Sequence, residues 1–195
     1  HGFVVDTQSE GFTTRPIEKK FSLRASVSSE ILLENVKVPA SHKLDVVGLK
    51  GPFSCLNLAR FGIAFGALGA AMACYDEALS YAKNRIQFSK PIAGYQLVQS
   101  KLVKMFSEIT KGQLLAQRLA ELADSHQWQP QHISLAKMNN VRIALDTARE
   151  TRDILGANGV THDFQCGRHM MNLESVVTYE GTEDIHRLIL GQHIT

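Results

Sequence analysis

Cysteines, long apolar runs and an excess of one charge are all scarce in this chain. Only three of its 195 residues are cysteines, namely Cys55, Cys74 and Cys166. Their odd number and wide spacing argue against a disulfide framework and predict free, mostly buried thiols in a reducing compartment. Twenty-one basic and nineteen acidic side chains leave a net charge of +2, and the longest basic run is Lys19-Lys20. This balance makes nucleic acid or a membrane surface a poor candidate partner.

Targeting and nucleotide-binding signatures are also missing. The N-terminal sequence HGFVVDTQSE lacks the charged and then apolar layout of a signal peptide. The longest apolar-rich stretch, Ile63 to Cys74, is too short to cross a bilayer. Neither Gly-x-Gly-x-x-Gly nor a Walker sequence occurs, so the usual nucleotide fingerprints are absent. We expect a soluble intracellular protein, in the cytoplasm of a bacterium or the mitochondrial matrix of a eukaryote.

The character of the chain changes once along its length. In residues 1–47, the apolar run Gly2 to Val5 and the partly alternating stretch 31–38 predict strands. The sequence GLKGP at 48–52 marks a break, after which helical periodicity takes over. So short a strand segment cannot form a sheet core of its own. We therefore interpret residues 1–47 as the C-terminal part of a β domain and residues 48–195 as a helical-bundle domain.

Three long helices are predicted, over about 55–84, 95–124 and 130–155, followed by a short element and a last helix after Gly181. Long helices with short links indicate a mainly α fold, an antiparallel four-helix bundle. In the first helix, an apolar stripe is expected to face the core: Leu58, Phe61, Phe65, Leu68, Met72, Tyr75 and Leu79. Three glycines on one side of this helix are expected to admit another backbone: Gly62, Gly66 and Gly69. In the second helix, the predicted inward residues are Leu97, Leu102, Phe106, Ile109 and Leu114.

Two clusters of side chains have the spacing of metal ligands, and neither is complete. Glu183 and His186 match the Glu-x-x-His motif of di-iron bundles. Such a site needs a second copy of the motif and two further glutamates, and no second copy occurs. His162, Cys166 and His169 lack a fourth ligand at motif spacing. Because eight histidines make chance clusters common in a chain of this length, we predict no metal site.

Two further motifs each allow a structural and a functional interpretation. Residues 155–159, Leu-Gly-Ala-Asn-Gly, fit a helix C-cap, and also a turn whose backbone N–H groups approach a phosphate. Near the C-terminus, Thr182 can cap the last helix, with Glu183 and Asp184 favoured at its positive end. Glu180 lies just outside this cap. It is either a solvated residue or a catalytic base.

Taken in order, several segments resemble the acyl-CoA dehydrogenase family, and within it the branch that acts on glutaryl-CoA. Each segment alone is a weak signal, but their order and spacing extend over essentially the whole chain. The segments are KFSLRAS (20–26), GPFSCLNLAR (51–60), RFGIA (60–64), Arg85-x-Gln87-Phe88, LGANG (155–159), MNLE (171–174) and TYEGTEDIH (178–186).

The resemblance implies a fold and an activity. Family members have an N-terminal helical domain, a middle β domain and a C-terminal four-helix bundle, assemble usually as tetramers, and pass electrons from FAD to electron-transferring flavoprotein. By this resemblance, Glu180 is the base that removes the α-proton of an acyl-CoA thioester, while the β-hydride goes to FAD. Its backbone N–H would help to polarise the thioester carbonyl, and Gly181 would leave room for the substrate. In the glutaryl branch, loss of CO₂ then gives crotonyl-CoA.

The resemblance also assigns binding residues. The implied substrate contacts are Phe53, Ser54, Cys55, Leu56, Asn57, Leu58, Ala59, Arg60 and Gly181. The implied FAD contacts are Arg85, Phe88, Gln96, Asp153, Ile154, Leu155, Gly156, Ala157, Thr182, Glu183 and Asp184. Among these, the 153–157 turn would meet the FAD of a neighbouring subunit. Ser54 and Ala157 stand where the family pattern has glycine, and neither change removes a reactive group.

Three interpretations remain open at this point. The chain begins inside the β domain, so the residues expected to bind the glutaryl carboxylate lie mostly outside it. Another acyl-CoA dehydrogenase, acting on a straight or branched acyl chain without decarboxylation, fits the same motifs. A helical oligomerisation module without catalysis is the third interpretation. From residues 1–195 alone we expect weak FAD binding and no turnover.

Overall fold

A computed structural model describes all 195 residues, which form two compact units, His1–Leu56 and Asn57–Thr195. In the first unit, strands β1 (Phe12–Pro16) and β2 (Ser29–Leu33) pair antiparallel, with Phe12 opposite Leu33. A short 3₁₀ helix follows at Ala40–His42. Two strands are too few for a sheet with its own core, which agrees with the small size of this unit.

The predicted strands of the first unit are partly wrong. Gly2 to Val5 is not a strand, because only Phe3 forms an isolated bridge, with Lys43. The predicted strand over 31–38 is displaced, since β2 begins at Ser29 and ends at Leu33. Asn35 has a φ of +54°, a left-handed conformation that a continuing strand cannot contain.

Five helices dominate the chain, and the prediction of a mainly α fold is confirmed. They are α1 (Lys50–Asn84), α2 (Gln96–Asp124), α3 (Pro130–Ile154), α4 (Cys166–Val176) and α5 (Glu183–Ile194). A short hairpin joins α1 to α2. Its strands, β3 (Ile86–Gln87) and β4 (Lys90–Pro91), have two residues each.

The start of α1 lies earlier than the sequence suggested. The helix begins at Lys50 and not near residue 55. The residues GLKGP resemble a linker, but Pro52 falls in the first turn of the helix, where a missing N–H and a fixed φ are tolerated.

The most deeply buried face of α1 consists mainly of small residues, with the predicted apolar stripe beside it. Buried small residues along it are Ala64, Ala67, Ala71, Cys74, Ala78 and Ala82. Of the predicted stripe, Leu68 is buried, and four residues are partly buried and packed against the core: Phe61, Phe65, Tyr75 and Leu79. The prediction is wrong for Leu58, which is 70% exposed, and for Met72, which is 43% exposed. Both rows have helical spacing, so periodicity alone could not decide which is buried more deeply.

Close contact between helices occurs at a different glycine from those predicted. A Cβ on Gly62, Gly66 or Gly69 would meet nothing within 4 Å, so the expectation for these three residues is wrong. At Gly112 of α2, a Cβ would lie 2.8 Å from Leu68 Cδ2 and 3.0 Å from Asn140 Oδ1.

The buried Asn140 amide joins three helices beside Gly112. Its Nδ2 donates to the carbonyls of Ala64 at 2.9 Å and Gly112 at 3.3 Å. These bonds fix α1, α2 and α3 against one another, because a buried amide left without partners would be costly.

The second helix presents an apolar row to the outside. Leu102 and Ile109 are buried as predicted, but Leu97, Phe106 and Leu114 are largely exposed, so their predicted inward orientation is wrong. Val103 is also exposed and lies on the same side of α2 as Phe106 and Leu114. A contiguous exposed apolar row of this kind is a typical feature of association surfaces.

The 35-residue helix α1 is long and apolar enough to cross a membrane by length and composition alone. From the stretch Ile63 to Cys74 we expected no segment long enough to cross a bilayer. This expectation is wrong when the whole of α1 is counted. A single helix of this kind is weak evidence for a membrane, because core helices of soluble proteins pass the same test. Alanines along α1 belong to the bundle core.

The three thiols are free, as predicted, and two of them are buried. Burial raises the pKa of the Cys74 thiol to about 12, with smaller contributions from Cys166 and Glu77. Burial is also the main cause of the raised pKa of Cys166. These two thiols remain protonated and chemically inert, whereas Cys55 is exposed.

Candidate active site

Glu180 lies in a short loop between α4 and α5 with an unusual backbone conformation. Its φ is +54°, and the next residue, Gly181, has a φ of +106°. A left-handed conformation costs a non-glycine residue about 1 to 2 kcal/mol. Such conformations persist where surrounding contacts over-determine them, and they concentrate at functional sites.

Two buried cations bind the carbonyl groups of this loop. Arg60 of α1 donates from Nε to the carbonyl oxygen of Glu180 at 2.5 Å. Lys137 of α3 donates from Nζ to the carbonyl oxygens of Tyr179, at 3.0 Å, and Gly181, at 2.8 Å. Three successive carbonyl groups are thus held from two helices, and these contacts supply the constraint that the left-handed backbone requires.

The carboxylate of Glu180 has free hydrogen-bonding capacity. Its Oε2 is buried and has no hydrogen-bond partner. By contrast, Glu183, only three residues away, is bound by both Arg142 and Arg187. A buried acceptor without a partner is costly for stability. It is also the arrangement that a general base needs, because a paired oxygen is a poorer proton acceptor.

The charges around Glu180 perturb one another. Burial and then the positive charge of Arg60 lower the pKa of Lys137 to about 8, against the opposing effect of the charges of Glu180 and Glu183. The pKa of Arg60 is also lowered by burial, with Glu180 opposing. The phenol of Tyr179 has a raised pKa, caused first by burial and then by the charge of Glu180. The loop is therefore an electrostatically coupled cluster, which is typical of functional sites.

His186 of α5 is fully buried beneath this loop. Neither ring nitrogen has a hydrogen-bond partner. Burial, and then the charges of Lys137 and Arg60, lower its pKa to about 4, so the imidazole is neutral at physiological pH. A Cβ on Gly181 would lie 3.2 Å from the imidazole and 3.1 Å from Arg60 Nη2. Gly181 is therefore required both by its φ and by the lack of space.

Two of these residues, Lys137 and His186, were not recognised from the sequence as part of this cluster. His186 had been considered only as one half of a metal motif. A helical lysine is normally taken for a surface residue, because lysines are almost never fully buried. One signal was available, since Lys137 lies four residues after Ile133 and four before Val141, both buried core residues of α3.

The first turn of α5 has the predicted capping chemistry. Thr182 Oγ1 accepts a hydrogen bond from the N–H of Ile185 at 3.3 Å. Glu183 and Asp184 occupy the positive end of the helix. Arg142 Nε binds Glu183 at 3.0 Å. This structural role of residues 182–184 is independent of the cofactor role that the resemblance gives them, and the cofactor role stays a prediction.

A second group of site residues surrounds the β3–β4 hairpin and the end of α3. A cavity of about 840 Å³ is lined by five predicted FAD contacts: Phe88, Gln96, Asp153, Ile154 and Gly156. An adjoining cavity of about 230 Å³ is lined by Arg85, Leu155 and Ala157, together with Ile154 and Gly156. The structure thus brings together eight of the predicted FAD contacts, and residues 182–184 line neither cavity.

Local turns position this second group. Phe88 and Ser89 have positive φ values and close the tight β3–β4 hairpin, which leaves the Phe88 ring 88% exposed. At the end of α3, Leu155 is the C-cap, and Gly156 has a φ of +60°. A Cβ on Gly159 would lie 2.3 Å from the carbonyl oxygen of Arg152. These contacts support the helix-cap interpretation of 155–159, and the phosphate interpretation stays a prediction.

The predicted substrate segment, Phe53 to Arg60, belongs to the N-terminal half of α1. Its residues up to Leu56 lie in the first compact unit, and Asn57 onwards lie in the second. Arg60 contacts the Glu180 loop, whereas Phe53 and Leu58 have exposed side chains. Their contact with a substrate stays a prediction.

A small apolar cavity of about 200 Å³ separates α1 from α4 next to the Glu180 loop. The glycines that fail to contact another backbone, Gly62 and Gly66, form part of its wall. Tyr179, the neighbour of Glu180, also lines it, with Ile63 and Val176. The missing side chains of the glycines therefore leave space beside Tyr179.

The structure contains no group of three or more His, Cys, Asp or Glu side chains arranged to hold a metal ion. In the Glu-x-x-His pair, Glu183 is bound by arginines and His186 is enclosed in the core. In the second cluster, the backbone N–H of Cys166 donates to Glu77 Oε2 at 2.9 Å.

Comparison with known proteins shows the family to which the chain belongs. A sequence model of the acyl-CoA dehydrogenase C-terminal domain matches residues 48–195. The chain belongs to the acyl-CoA dehydrogenase family. Crystal structures of a glutaryl-CoA dehydrogenase from Mycobacterium smegmatis superpose with TM-scores of 0.98 and 0.97, at 51% and 50% identity, and the second contains FADH2. Both matches cover 100% of this chain and 50% of that chain.

Curated members of the family match more distantly. A 3-(aryl)acrylate reductase from Clostridium sporogenes is 32% identical over 98% of this chain and 52% of its own length. A subunit of the caffeyl-CoA reductase–Etf complex of Acetobacterium woodii is 30% identical over 97% of this chain and 50% of its own length. The chain therefore spans about half the length of the curated relatives that it matches.

Proposed function

We propose that the chain is the C-terminal half of a flavin-dependent acyl-CoA dehydrogenase in which Glu180 is the catalytic base. The observation that carries the proposal is the buried, unpartnered Oε2 of Glu180 on a loop held by Arg60 and Lys137. Glu180 takes the α-proton of the acyl-CoA thioester, and the electron pair of that C–H bond becomes part of the new α,β double bond. FAD, when bound, supplies the acceptor for the hydride that leaves the β-carbon.

The residues around the β3–β4 hairpin suit the distal end of FAD. Arg85 offers a guanidinium group, which pairs well with pyrophosphate oxygens, and the exposed ring of Phe88 offers an apolar face for a heterocycle. Since Arg85 and the 153–157 turn line adjoining cavities, they would serve one FAD molecule. By resemblance, only the 153–157 turn was expected to contact the FAD of a neighbouring subunit. We now propose that Arg85 contacts this same FAD molecule. The FADH2 in the mycobacterial structure supports a flavin cofactor.

Glutaryl-CoA is the substrate that we propose. The mycobacterial glutaryl-CoA dehydrogenase, which shares 51% identity over the whole chain, supports this choice. Oxidation gives glutaconyl-CoA, whose γ-carboxylate leaves as CO₂. The electron pair of the broken bond moves through the conjugated system, and protonated Glu180 supplies the proton that completes crotonyl-CoA.

A second candidate substrate is a short or branched acyl-CoA that is oxidised without decarboxylation. It is favoured by relatives such as the mitochondrial short-chain acyl-CoA dehydrogenase of Bos taurus, which is 31% identical over 98% of this chain and 47% of its own length. The identity to this enzyme is lower than to the mycobacterial protein. We therefore place it second.

Association with other chains is part of the proposal. The exposed apolar row of α2, which includes Val103, Phe106 and Leu114, suits contact with another subunit, and we propose a homotetramer. Electron-transferring flavoprotein is the proposed electron acceptor. The Acetobacterium relative, which is named as part of an Etf complex, supports that partner.

The proposal is tested with the full-length protein and its Glu180→Gln variant. We expect wild-type protein mixed anaerobically with glutaryl-CoA to lose its oxidised-flavin absorption and to release CO₂ and crotonyl-CoA. Glu180→Gln should bind FAD normally but reduce it more slowly by a factor of about 10² to 10⁴, the usual contribution of a general base.

Glu121→Gln is the matched control, because Glu121 is an exposed partner of Arg118 on α2. It should leave the reduction rate unchanged. Flavin reduction by glutaryl-CoA without CO₂ release would favour the second substrate class. Equal reduction rates in Glu180→Gln and wild type would refute the assignment of the base, and a colourless protein would leave the helical oligomerisation module as the better description.

A further inference from the structure

Lys137 is the largest fully buried side chain of the molecule, only 1% exposed. An ammonium group loses its hydration on burial, and this cost must be offset by bonds to the charged form. A carboxylate partner within ion-pair distance would be the usual solution, yet Lys137 forms no such pair. Its partners are two main-chain carbonyl oxygens on either side of Glu180, those of Tyr179 and Gly181.

The first of these bonds acts on the peptide group that contains the N–H of Glu180. Because a trans peptide unit is planar, its C=O and N–H point in opposite directions. An ammonium bound to the Tyr179 oxygen therefore fixes the Glu180 N–H to point away from Lys137. A positive charge on the carbonyl oxygen also polarises the peptide unit and makes its N–H a stronger donor.

The second bond holds the next peptide group but one, because the Gly181 carbonyl, bound at 2.8 Å, belongs to the peptide between Gly181 and Thr182. Arg60 holds the carbonyl of Glu180 itself, in the peptide between them. Lys137 of α3 therefore sets the peptide plane before Glu180 and Arg60 of α1 sets the plane after it, and together they determine the left-handed φ of Glu180. The carboxylate and the N–H of Glu180 are then presented in a fixed relative orientation.

We infer that Lys137 is a positioning residue for the proposed reaction. By binding the carbonyls of Tyr179 and Gly181, it helps to set the direction of the Glu180 carboxylate and increases the donor strength of the Glu180 N–H. The inference rests on the proposed function of Glu180. It requires no contact between Lys137 and the substrate. A simple structural role would instead leave a correctly folded, flavin-loaded protein with full activity.

The test compares Lys137→Met with wild type in the full-length, FAD-loaded protein. Methionine keeps the length of the side chain and removes its charge and its donors. Per bound flavin, we expect the rate of flavin reduction at saturating acyl-CoA to fall about tenfold to a hundredfold, because small misplacement of reacting groups has effects of this size. The KM for acyl-CoA should change less than threefold. A loss of folded protein cannot lower the rate per bound flavin while the KM stays nearly constant.

The pH dependence of the rate adds a second readout. The charged groups facing Lys137 are Arg60, Glu180 and Glu183, with neutral His186 beside them. Because burial and the charge of Arg60 lower the pKa of Lys137 to about 8, its ammonium group loses its proton as the pH rises through 8. The wild-type rate per flavin should therefore fall as the pH rises through 8, and Lys137→Met should lack this fall, whereas a purely structural defect would leave the shape of the pH profile unchanged.

Hydrogen exchange gives a readout that does not depend on turnover. The peptide covering residues 178–184 should exchange faster in Lys137→Met than in wild type. The matched control is Thr151→Val, which removes another buried hydrogen bond of α3, from Thr151 Oγ1 to the Cys74 carbonyl at 3.0 Å. This control should leave exchange in 178–184 and the rate per flavin unchanged.

Each outcome decides the inference. A rate per flavin within twofold of wild type and unchanged exchange at 178–184 would overturn it. If Lys137→Met does not fold, Lys137→Gln, which keeps one donor group, is compared in the same way, and failure of both to fold while Thr151→Val folds would show a structural role only. If wild type oxidises no acyl-CoA, the proposed function fails, and the exchange data still show whether Lys137 holds the loop.

Discussion

The loop around Glu180 and the surface around Arg85 differ in how completely this chain builds them. At the loop, two buried cations and a buried imidazole fix the backbone, and the carboxylate oxygen is left unpartnered. Around Arg85, the cavities are open, the Phe88 ring is exposed, and the rim carries the Lys101–Asp153 ion pair. The first region is held in place by contacts within one chain, whereas the second is an open surface.

The largest expected effect is a loss of stability at acidic pH, which arises at the Glu180 loop and not around Arg85. The pKa of His186 is about 4 in the folded protein, below its ordinary 6.5, so the unfolded state takes up a proton in this range and the folded state does not. Stability contributed by the neutral imidazole is therefore present above pH 6.5 and is lost as the pH falls towards 4. The loss amounts to about 3 kcal/mol.

Urea unfolding of the full-length protein between pH 7 and pH 4 measures this effect. We compare wild type with His186→Met, an apolar replacement of similar length, and expect the variant to lack most of the acid destabilisation. His126→Gln serves as the control, because His126 is an exposed histidine outside the loop. Identical pH dependence in His186→Met and wild type would contradict the assignment of a buried neutral imidazole.

Gly181→Ala should break the loop itself. The new Cβ would meet Arg60 and His186 at 3.1 to 3.2 Å, and an L-residue at a φ of +106° is strained. We expect a loss of about 2 kcal/mol in the free energy of unfolding. The rate of flavin reduction should fall at the same time.

Thermal unfolding and flavin-reduction assays measure these two changes. Gly156→Ala is an informative counterpart, since Gly156 also has a positive φ but a Cβ there would meet nothing within 4 Å. Gly156→Ala should reduce the free energy of unfolding by less than Gly181→Ala does. It should leave the rate of flavin reduction per bound flavin unchanged. Equal damage at both glycines would show that φ alone, and not the packing of the loop, determines the effect.

Arg85→Gln should affect the open region without disturbing the loop. Loss of one guanidinium contact with a phosphate oxygen weakens binding by about tenfold. We expect the dissociation constant for FAD to rise by that factor while turnover at saturating FAD stays constant. Titration of the apoprotein with FAD checks the prediction, and a fall in saturated turnover would show that the two regions are coupled.

The smallest effect is expected at the helix cap that follows the loop. Thr182→Ala removes the acceptor for the Ile185 N–H and should reduce the free energy of unfolding by about 1 kcal/mol. Thr182→Ser keeps the acceptor and should restore most of this loss. A large fall in FAD affinity in Thr182→Ala, absent from Thr182→Ser, would instead support the cofactor role assigned by resemblance.

Local sequence rules predicted the elements of the fold better than their faces. The ends of α2 and α3 and the start of α5 fall within about a residue of their predicted positions, because caps, prolines and glycines act locally. On α1, Leu58 and Met72 of the predicted stripe are exposed and a row of alanines is buried more deeply, because the two rows have the same period. Only the partners of α1 decide which row is buried most deeply.

The candidate site shows the same division. Thr182 and the acids after it were identified from helix-start rules, and Glu180 was distinguished by its place in an ordered series of family motifs. The lysine that holds its loop was missed, because Lys137 lies more than forty residues away along the chain. No local pattern encodes such a contact.

The sequence by itself determined the order of the helices, the change from strands to helices, the cap at Thr182 and the identity of the residue offered as base. The first three depend on backbone propensities and on side chains within one or two turns, whereas the last depends on the ordered series of family motifs. The tertiary structure decided that Arg60 and Lys137 meet at one loop and that a histidine is enclosed beneath Gly181. Such contacts join residues 42 to 120 positions apart, and they arise only when helices with small facing side chains pack closely enough to bury charge.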